Sequence, residues 1–123
     1  MKKSGCYFVA FGIESGNQKI LEKIKKGEDL ETIKKAIEMV DKLGLICQGF
    51  FIFGLPGETK RTIIDSIEFA KKSKLSRAQF AILDILPGSE LWESLKGKFK
   101  PNWNKISYLE PEWVPEGITK LNL

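Results

Sequence analysis

The chain has 123 residues, of which 42% are hydrophobic and 29% are charged, and its net charge is +4. This length and composition indicate one modest globular domain and exclude a disordered or fibrous protein. Because the chain has only two cysteines, Cys6 and Cys47, and no histidine, it cannot hold a structural zinc or an iron–sulfur cluster by itself, nor use a Ser-His-Asp mechanism.

The first predicted elements are a strand and two helices. Residues 7–13 form a continuous apolar run, which indicates a strand buried on both faces, as in a parallel sheet. Residues 17–24 have apolar side chains at helical spacing and predict a short helix. A second helix is predicted over 30–43, because Asp29 is typical of an N-cap and Gly44 of a C-terminal stop.

The second half of the chain predicts two further strands separated by a helix. The run 45–53 is nearly all apolar and ends at a glycine- and proline-rich turn, and residues 78–86 predict the third strand. Between them, residues 59–72 predict an amphipathic helix. The predicted buried side of that helix consists of Ile63, Ile64, Ile67, Phe69 and Ala70.

The remainder of the chain changes in character after the third predicted strand. A short helix is predicted over 90–95. Residues 96–123 contain Trp103, Tyr108 and Trp113 but no clear periodicity, so we expect an irregular, aromatic-rich C-terminal arm. The alternation of strands and helices before this arm predicts two βαβ units, an α/β fold with a parallel sheet.

The turn after the first predicted strand places polar side chains where ligands gather in parallel α/β folds, at the carboxyl ends of the strands. Glu14 there could accept hydrogen bonds from an amine or from ribose hydroxyls. The alternative is that Ser15 or Asn17 caps the next helix and Glu14 complements the helix dipole. Local physical chemistry alone favours this alternative.

The turns after the other two strands leave a similar choice open. In the Gly54–Thr59 segment, two glycines permit a close approach of the backbone to a ligand, or simply form a tight turn before a helix. In the 85–89 segment, backbone groups could face a flat heterocycle, or the turn could lead into a helix cap. Each turn is ambiguous alone, whereas their order and spacing together are specific.

Taken together, these motifs resemble the radical S-adenosylmethionine (SAM) enzymes, and most of all the branch that often carries an N-terminal cobalamin-binding domain. The similarity extends over nearly the whole chain. The matching segments are Phe11–Gly16, Gln18, Ile20-Leu21, Lys26-Gly27, Gly49–Thr59, Leu86–Leu91 and Val114–Thr119.

The resemblance implies a parallel (β/α) barrel of six strands, of which this chain supplies the last three with their crossover helices. Residues 1–95 would then be the C-terminal half of the barrel, and 96–123 an extension. In this family a [4Fe-4S] cluster, held by a Cys-x3-Cys-x2-Cys loop after the first strand, cleaves SAM to a 5′-deoxyadenosyl radical that abstracts hydrogen. SAM and the cluster are thus implied for the complete enzyme, and cobalamin for the branch.

The resemblance also implies a set of cofactor-binding residues. Glu14 and Ser15 match fourth-strand residues that contact the amino acid or ribose part of SAM. The fifth-strand motif that shapes the adenosyl site is matched by Gly54, Pro56, Gly57 and Glu58. Ile85 and Leu86 match the sixth-strand segment whose backbone lies against adenine.

The sequence departs from the family pattern in two places. The cluster loop is absent, since Cys6 and Cys47 do not form that motif, so we expect no metal ligand in this chain and no activity from the chain alone. Asp84-Ile85 replaces the usual Thr-Pro pair and introduces a charge near the adenine side. The chain therefore has the character of a fragment, either one part of a radical SAM enzyme or a non-catalytic remnant or interaction module.

Partners and compartment follow from the fold and the charge pattern. Half a barrel leaves open strand edges and has marginal stability at this size, so we expect self-association or a partner chain supplying the other half. Lysine pairs are dispersed along the chain, which is typical of solvated helix faces and predicts no binding to nucleic acid. The apolar runs are too short to span a bilayer, so we expect no membrane partner. Two separated cysteines and no apolar leader favour the cytoplasm.

Overall fold

The computed structural model describes residues 2–83 together with residues 89, 90 and 93. Over this part of the chain, helices lie between successive strands. In chain order the elements are a single 3-10 turn (Lys2–Ser4), β1 (Phe8–Glu14), α1 (Gln18–Lys23), α2 (Leu30–Lys42), β2 (Ile46–Phe53), α3 (Lys60–Lys72) and β3 (Arg77–Ile82).

The three strands form one parallel sheet in the order β1-β2-β3. In the register of the sheet, Phe8 lies opposite Ile46, and Phe50 lies opposite Gln79. Each connection between parallel neighbours passes through helical structure, as the geometry of parallel pairing requires. The predicted α/β fold, a partial parallel (β/α) barrel, is confirmed.

Helix α2 begins and ends at the residues that the sequence indicates. The Oδ1 atom of Asp29 accepts a hydrogen bond from the Thr32 N–H at 2.7 Å, and this bond holds the pKa of Asp29 below its ordinary value. At the other end Gly44 has φ +72°, and its N–H donates to the Asp41 carbonyl at 2.9 Å. A glycine in this left-handed conformation is a common helix terminator.

The hydrophobic core lies between the helices and one face of the sheet. From β2 it receives Cys47 and Phe51, and from α2 it receives Ile37, all of them at most 1% exposed. The packing across Gly49 is close, since a Cβ atom at that position would lie 2.7 Å from the Ile13 Cδ1 atom. A side chain at Gly49 would therefore require the Ile13 and Leu75 side chains to move.

The opposite face of the sheet differs from the prediction that β1 is buried on both faces. Phe8 on β1 and Ile46 and Phe50 on β2 are 37–38% exposed, while the intervening residues of both strands face the core. The reason is that the described helices pack on one face only. We call the other side, with Phe8, Ile46, Gln48, Phe50 and Ile52 among its residues, the uncovered face.

Helix α3 also differs from the prediction in which side chains it buries. Ile64, predicted to be buried, is 44% exposed, whereas Ser66 is fully buried. Ile63 and Ser66 are three residues apart and lie on the same side of the helix, whereas Ile64 is rotated about 100° away from Ile63. The buried position next to Ile63 is thus occupied by a small polar residue that the hydrophobic pattern does not reveal.

The third strand begins one residue before the predicted start, since β3 spans Arg77–Ile82 within the described residues. The Leu83 N–H still bonds to the Phe53 carbonyl at 2.8 Å. Residues 84–88, most of the predicted 90–95 helix and the whole 96–123 arm lie outside the described residues. In the part of the chain that is described, the helices are too short to cross a membrane.

Candidate functional site

The carboxyl ends of β1 and β2 lie side by side, so the turns that follow them share one edge of the sheet. We call residues 13–17 the first turn and residues 54–58 the second turn. Helix α3 begins immediately after the second turn and packs back against the first. Six of the eight predicted site residues lie in these two turns, namely Glu14, Ser15, Gly54, Pro56, Gly57 and Glu58.

Glu14 adopts an unusual backbone conformation at the end of β1. Its φ is +72°, and the Ser15 N–H donates to the Ile13 carbonyl at 2.9 Å, which together define a γ-turn centred on Glu14. A γ-turn with positive φ is rare and strained, at about 1–3 kcal/mol for a residue with a side chain. The ladder shifts register here, because Gly12 pairs with Phe50 while Glu14 pairs with Phe51.

The γ-turn directs the Glu14 carboxylate back over the sheet. A Cβ atom on Gly12 would lie 3.0 Å from Glu14 Oε1, so the carboxylate covers the glycine on the uncovered face. Lys26 Nζ is 3.9 Å from the same oxygen. Both side chains keep about a quarter of their surface exposed, 26% for Glu14 and 25% for Lys26. A charged pair is therefore accessible at the lip of the sheet.

Ser15, the neighbouring predicted site residue, points to the opposite side. It is fully buried, and its Oγ atom accepts a hydrogen bond from the Asn17 N–H at 3.1 Å. The same atom is 3.3 Å from the Ser66 hydroxyl of α3. The structure thus places the Ser15 hydroxyl among protein partners on the interior side of the turn.

Asn17 acts as the N-cap of α1, one of the alternatives that the sequence left open. Its Oδ1 atom accepts from the Ile20 N–H at 3.2 Å. Its side-chain amide donates to Asp65 Oδ2 on α3 at 2.9 Å. The first turn therefore caps α1 through Asn17, while the Glu14 carboxylate at the start of the turn is partly exposed.

The second turn is stabilised by its own glutamate. Glu58 is fully buried, and its Oε2 atom accepts hydrogen bonds from the Gly54 N–H at 2.7 Å and from the Leu55 N–H at 3.0 Å. Its Oε1 atom is buried without a hydrogen-bond partner among the described residues. Burial raises the pKa of Glu58, and the two backbone bonds partly offset that rise. Glu58 lies inside the turn and sets its shape.

The other predicted site residues of the second turn differ in exposure. Gly54 is buried with φ +90°, Pro56 is half-buried, and Gly57 is exposed with φ +81°. The Lys23 side chain from α1 lies over Gly57, because a Cβ atom there would be 2.7 Å from Lys23 Nζ. The end of the first helix and the residues just after it thus contribute a cation to each turn, Lys26 to the first and Lys23 to the second.

The residues predicted for the adenine side are the part of the site that the structure leaves undescribed. Ile85 and Leu86, as well as the departing residue Asp84, lie outside the described residues. Close to this region in the sequence, an exposed ion pair of 2.8 Å joins Lys25 Nζ to Glu90 Oε1. It lowers the pKa of Glu90 and raises that of Lys25.

Sequence reasoning did not assign a site role to Lys23, Lys26 or Ser66, which all contact the two turns. The lysines lie at or just after the end of α1, and a basic residue at the C-terminal end of a helix ordinarily suggests only a favourable interaction with the helix dipole. Ser66 had a detectable signal, since a serine three residues from Ile63 interrupts the apolar side of α3. Such an interruption indicates a buried hydrogen bond.

Comparison with known proteins decides the family. The family model of the radical SAM superfamily matches residues 1–70, which include β1, both turns and most of α3. This segment is more than half of the chain. The chain therefore belongs to the radical SAM superfamily. Membership implies SAM and a [4Fe-4S] cluster as cofactors of the complete enzyme.

Several curated proteins are similar to this radical SAM chain. An uncharacterized methyltransferase of Pyrococcus horikoshii is 38% identical over 98% of the chain and 28% of its own length. The cytidylyl-2-hydroxyethylphosphonate methyltransferase of Streptomyces wedmorensis is 39% identical over 74% of the chain and 18% of its own length. The anaerobic magnesium-protoporphyrin IX monomethyl ester cyclase of Rubrivivax gelatinosus is 26% identical over 97% of the chain and 22% of its own length. The chain thus spans about a quarter of these relatives.

The residues present fit SAM but not the cluster. For SAM, the partly exposed Glu14 carboxylate can accept hydrogen bonds, and the second turn places the exposed Gly57 at the same edge of the sheet. For the cluster, Cys47 is fully buried in the core and Cys6 lies before β1, and both are free thiols. No group of three potential metal ligands occurs within the described ranges. Burial and the nearby Asp41 raise the pKa of Cys47, which disfavours the thiolate that a metal requires.

Proposed function

We propose that this chain forms part of the SAM-binding wall of a radical SAM enzyme. The observation that carries the proposal is the position of the Glu14 carboxylate, which lies over the uncovered face at the end of β1 and is partly exposed. A carboxylate in this position can accept hydrogen bonds from the ribose hydroxyls or from the α-ammonium group of SAM. Glu14 is therefore the residue we assign to SAM contact.

The second turn supports the same proposal in a different way. Gly54 and Gly57 have positive φ values that glycine adopts without strain, and the group that lies over the exposed Gly57 is the flexible end of the Lys23 side chain, which can move aside for a ligand. The buried Glu58 fixes this shape by binding two N–H groups of the turn. We therefore assign Gly54, Pro56 and Gly57 to the surface that adjoins the adenosyl group, and Glu58 to the support of that surface.

We assign Ser15 an indirect role, because its hydroxyl lies on the interior side of the first turn and stabilises that turn through its contacts with Ser66 and Asn17. When bound, SAM supplies the transferable group or the carbon radical of the reaction. The residues of this chain bind and orient it, and the cluster ligands must come from elsewhere, since the chain has only two cysteines.

Binding of SAM to the chain is the first test. Titration of the isotope-labelled chain with SAM, followed by NMR, should shift the amide signals of the two turns and leave those at the opposite end of the sheet unchanged. Loss of a hydrogen bond to a charged group costs about 1.5–3 kcal/mol, so Glu14→Ala should weaken binding by roughly tenfold or more. Glu22→Ala, at an exposed glutamate of α1, is the matched control.

The outcomes of this titration are distinct. Equal affinities for the Glu14→Ala variant and the wild-type chain would overturn the assignment of Glu14. If SAM shifts no signal in either turn, the chain is the non-catalytic remnant or interaction module that its sequence also allows, and the proposal fails.

For the complete enzyme we propose methyl transfer as the reaction class. The support is that similar proteins from Pyrococcus horikoshii and Streptomyces wedmorensis are named methyltransferases. The resemblance to the cobalamin branch supports cobalamin as a further cofactor, and two free cysteines support a reducing compartment such as the cytoplasm.

An assay with methyl-labelled SAM tests the reaction class. The chain is combined anaerobically with a polypeptide that carries the cysteine loop, with a low-potential reductant and with cobalamin, whose reduced form accepts the methyl group. We expect the label to leave SAM and S-adenosylhomocysteine to accumulate. Formation of 5′-deoxyadenosine without any S-adenosylhomocysteine would contradict methyl transfer and indicate hydrogen abstraction alone.

A further inference from the structure

The buried hydroxyl of Ser66 joins α3 to the first turn. Ser66 Oγ accepts a hydrogen bond from the Gly16 N–H at 2.9 Å and lies 3.2 Å from the Thr62 carbonyl, to which it donates. Since its own proton is thereby used, the Ser15 hydroxyl at 3.3 Å must be the donor in the contact between the two serines. The Ser66 hydroxyl therefore accepts hydrogen bonds from two successive residues of the first turn, Ser15 and Gly16, and donates its own proton to a carbonyl of α3.

Two further contacts show that the turn and the helix form a close fit. A Cβ atom on Gly16 would lie 2.7 Å from both Ser66 Cα and Phe69 Cβ, a distance that no side chain could tolerate. Beside it, Asp65 accepts a hydrogen bond from the Asn17 side chain at 2.9 Å and is paired with Arg61 at 3.2 Å. Residues 15–17 are therefore attached to one turn of α3 at three successive positions.

The strained conformation of Glu14 requires such an attachment. A residue with a side chain persists in a positive-φ γ-turn only where the surrounding structure determines it. On one side Glu14 is held by the ladder of β1, and on the other by Ser15 and Gly16, which Ser66 binds. Without the second anchor, the chain could relax to an extended conformation and turn the carboxylate away from Gly12.

We propose that Ser66 is a positioning residue for SAM binding, because its hydroxyl holds the first turn in the conformation that places the Glu14 carboxylate over the uncovered face. The inference rests on the proposed function of Glu14 and extends it to a residue that does not touch the cofactor. Helix α3 begins at the second turn, where Thr59 caps it. One helix thus fixes both turns relative to each other.

The test compares Ser66→Ala with Ser76→Ala. Both substitutions remove a serine hydroxyl that accepts a backbone N–H, but Ser76 binds the Cys47 N–H at 3.1 Å, far from the two turns in the sheet. Amide hydrogen exchange of Gly16 and the backbone coupling constant of Glu14 are measured by NMR without any ligand. Ser66→Ala should speed Gly16 exchange about tenfold, the effect of losing one buried hydrogen bond, and change the Glu14 coupling.

SAM affinity is then measured for the same variants. We expect Ser66→Ala to weaken SAM binding several-fold and Ser76→Ala to leave it unchanged. If Ser66→Ala lacks a cooperative unfolding transition, Ser66→Cys replaces it, since it keeps nearly the same volume and substitutes a weak sulfur acceptor.

Each result bears on a separate part of the proposal. Unchanged Gly16 exchange and Glu14 coupling in Ser66→Ala would overturn the structural role of the hydroxyl. A relaxed turn with unchanged SAM affinity would overturn the positioning role, as would an equal loss of affinity in Ser76→Ala. If the wild-type chain binds no SAM, the proposed function fails, while the ligand-free measurements still decide whether Ser66 holds the turn.

Discussion

At the level of single residues, burial of Glu58 disfavours the ionised form of its carboxyl group. Its pKa is raised by burial, so the folded chain binds the proton more tightly than the unfolded chain does. The protonated carboxyl therefore contributes fully to stability below the ordinary pKa of 4.5, and this contribution is lost as the pH rises through the higher folded-state pKa. A neutral isostere at this position should not show the loss.

We therefore expect Glu58→Gln to become more stable, relative to the wild-type chain, as the pH increases. The amide oxygen can still accept from the Gly54 and Leu55 N–H groups, while the NH₂ group takes the place of the unpartnered Oε1. Urea denaturation from about pH 4 to 8 measures the difference in unfolding free energy. Glu68→Gln, on the outer side of α3, is the control. A difference for Glu58→Gln that stays constant with pH would contradict this account.

Gly16 is constrained sterically, because its Cα lies in close contact with α3. An added Cβ atom would lie 2.7 Å from Ser66 Cα and 2.9 Å from the Asp65 carbonyl oxygen, and neither atom can rotate away. Gly16→Ala should therefore lower the free energy of unfolding by about 1–3 kcal/mol, the usual cost of overpacking. Chemical denaturation measures it, and a change below about 0.5 kcal/mol, typical of an unconstrained surface site, would show that the turn and α3 can separate freely.

At the level of elements, the start of α2 is stabilised by its N-cap residue, Asp29. Asp29 accepts the Thr32 N–H, and because its pKa is lowered in the folded state, its contribution to stability is present above the unfolded-state pKa and is lost as the pH falls through the folded-state pKa. Asp29→Ala should lower the urea midpoint at neutral pH. Asp29→Asn should retain most of the stability but lose its share of the acid dependence, since asparagine also caps helices. Equal midpoints for the Ala and Asn variants would contradict the capping role.

The same elements show what the sequence could and could not predict. The cap at Asp29 and the stop at Gly44 depend on local contacts, so their residue types identify them directly. The exposure of Phe8 depends on which elements pack together, and an apolar run contains no such information. The burial of Ser66 is indicated in the sequence only by the interruption of an apolar helix side, which does not identify the partner that the serine binds. The motif at 14–17 identified the candidate turn, whereas the partial exposure of Glu14 and the burial of Ser15 could be separated only once the fold was known.

At the scale of the whole molecule, the uncovered face exposes apolar side chains to solvent. Phe8, Ile46 and Phe50 are each more than one-third exposed there, and β1 and β3 each have one paired neighbour in the described sheet. In a solution of this chain alone, a second copy is the available partner for apolar surface and open strand edges. We therefore predict that the chain self-associates through the uncovered face.

Light scattering over a wide concentration range measures that self-association. Phe50→Lys, which puts a charge on the uncovered face, should shift the chain towards monomer. Ile64→Lys, at an exposed apolar position on α3, should leave the oligomeric state unchanged. A wild-type chain that stays monomeric throughout, or equal effects of the two substitutions, would contradict association through this face. Dissociation of a dimer on adding a cluster-bearing polypeptide would instead identify that polypeptide as the preferred occupant.

We predict that the chain binds SAM but does not bind the iron–sulfur cluster. A [4Fe-4S] cluster usually requires four ligands, at least three of them cysteines in this family, and the chain has two cysteines and no histidine. One of the two, Cys47, is fully buried in the core and its pKa is raised, so binding a metal would require unfolding of β2. Anaerobic reconstitution with iron and sulfide should therefore give no stable cluster absorption at one cluster per chain.

A SAM titration of the same reconstituted sample separates the two functions. We expect the wild-type chain to keep its amide shifts at the first and second turns, because Glu14 and the Gly54–Glu58 backbone do not depend on the cluster for their positions. Cys47→Ala is the control for adventitious iron and should not change either result. A stable cluster at one per chain, with shifts that appear only after reconstitution, would show that the two turns need the metal to form a site and would reverse this separation.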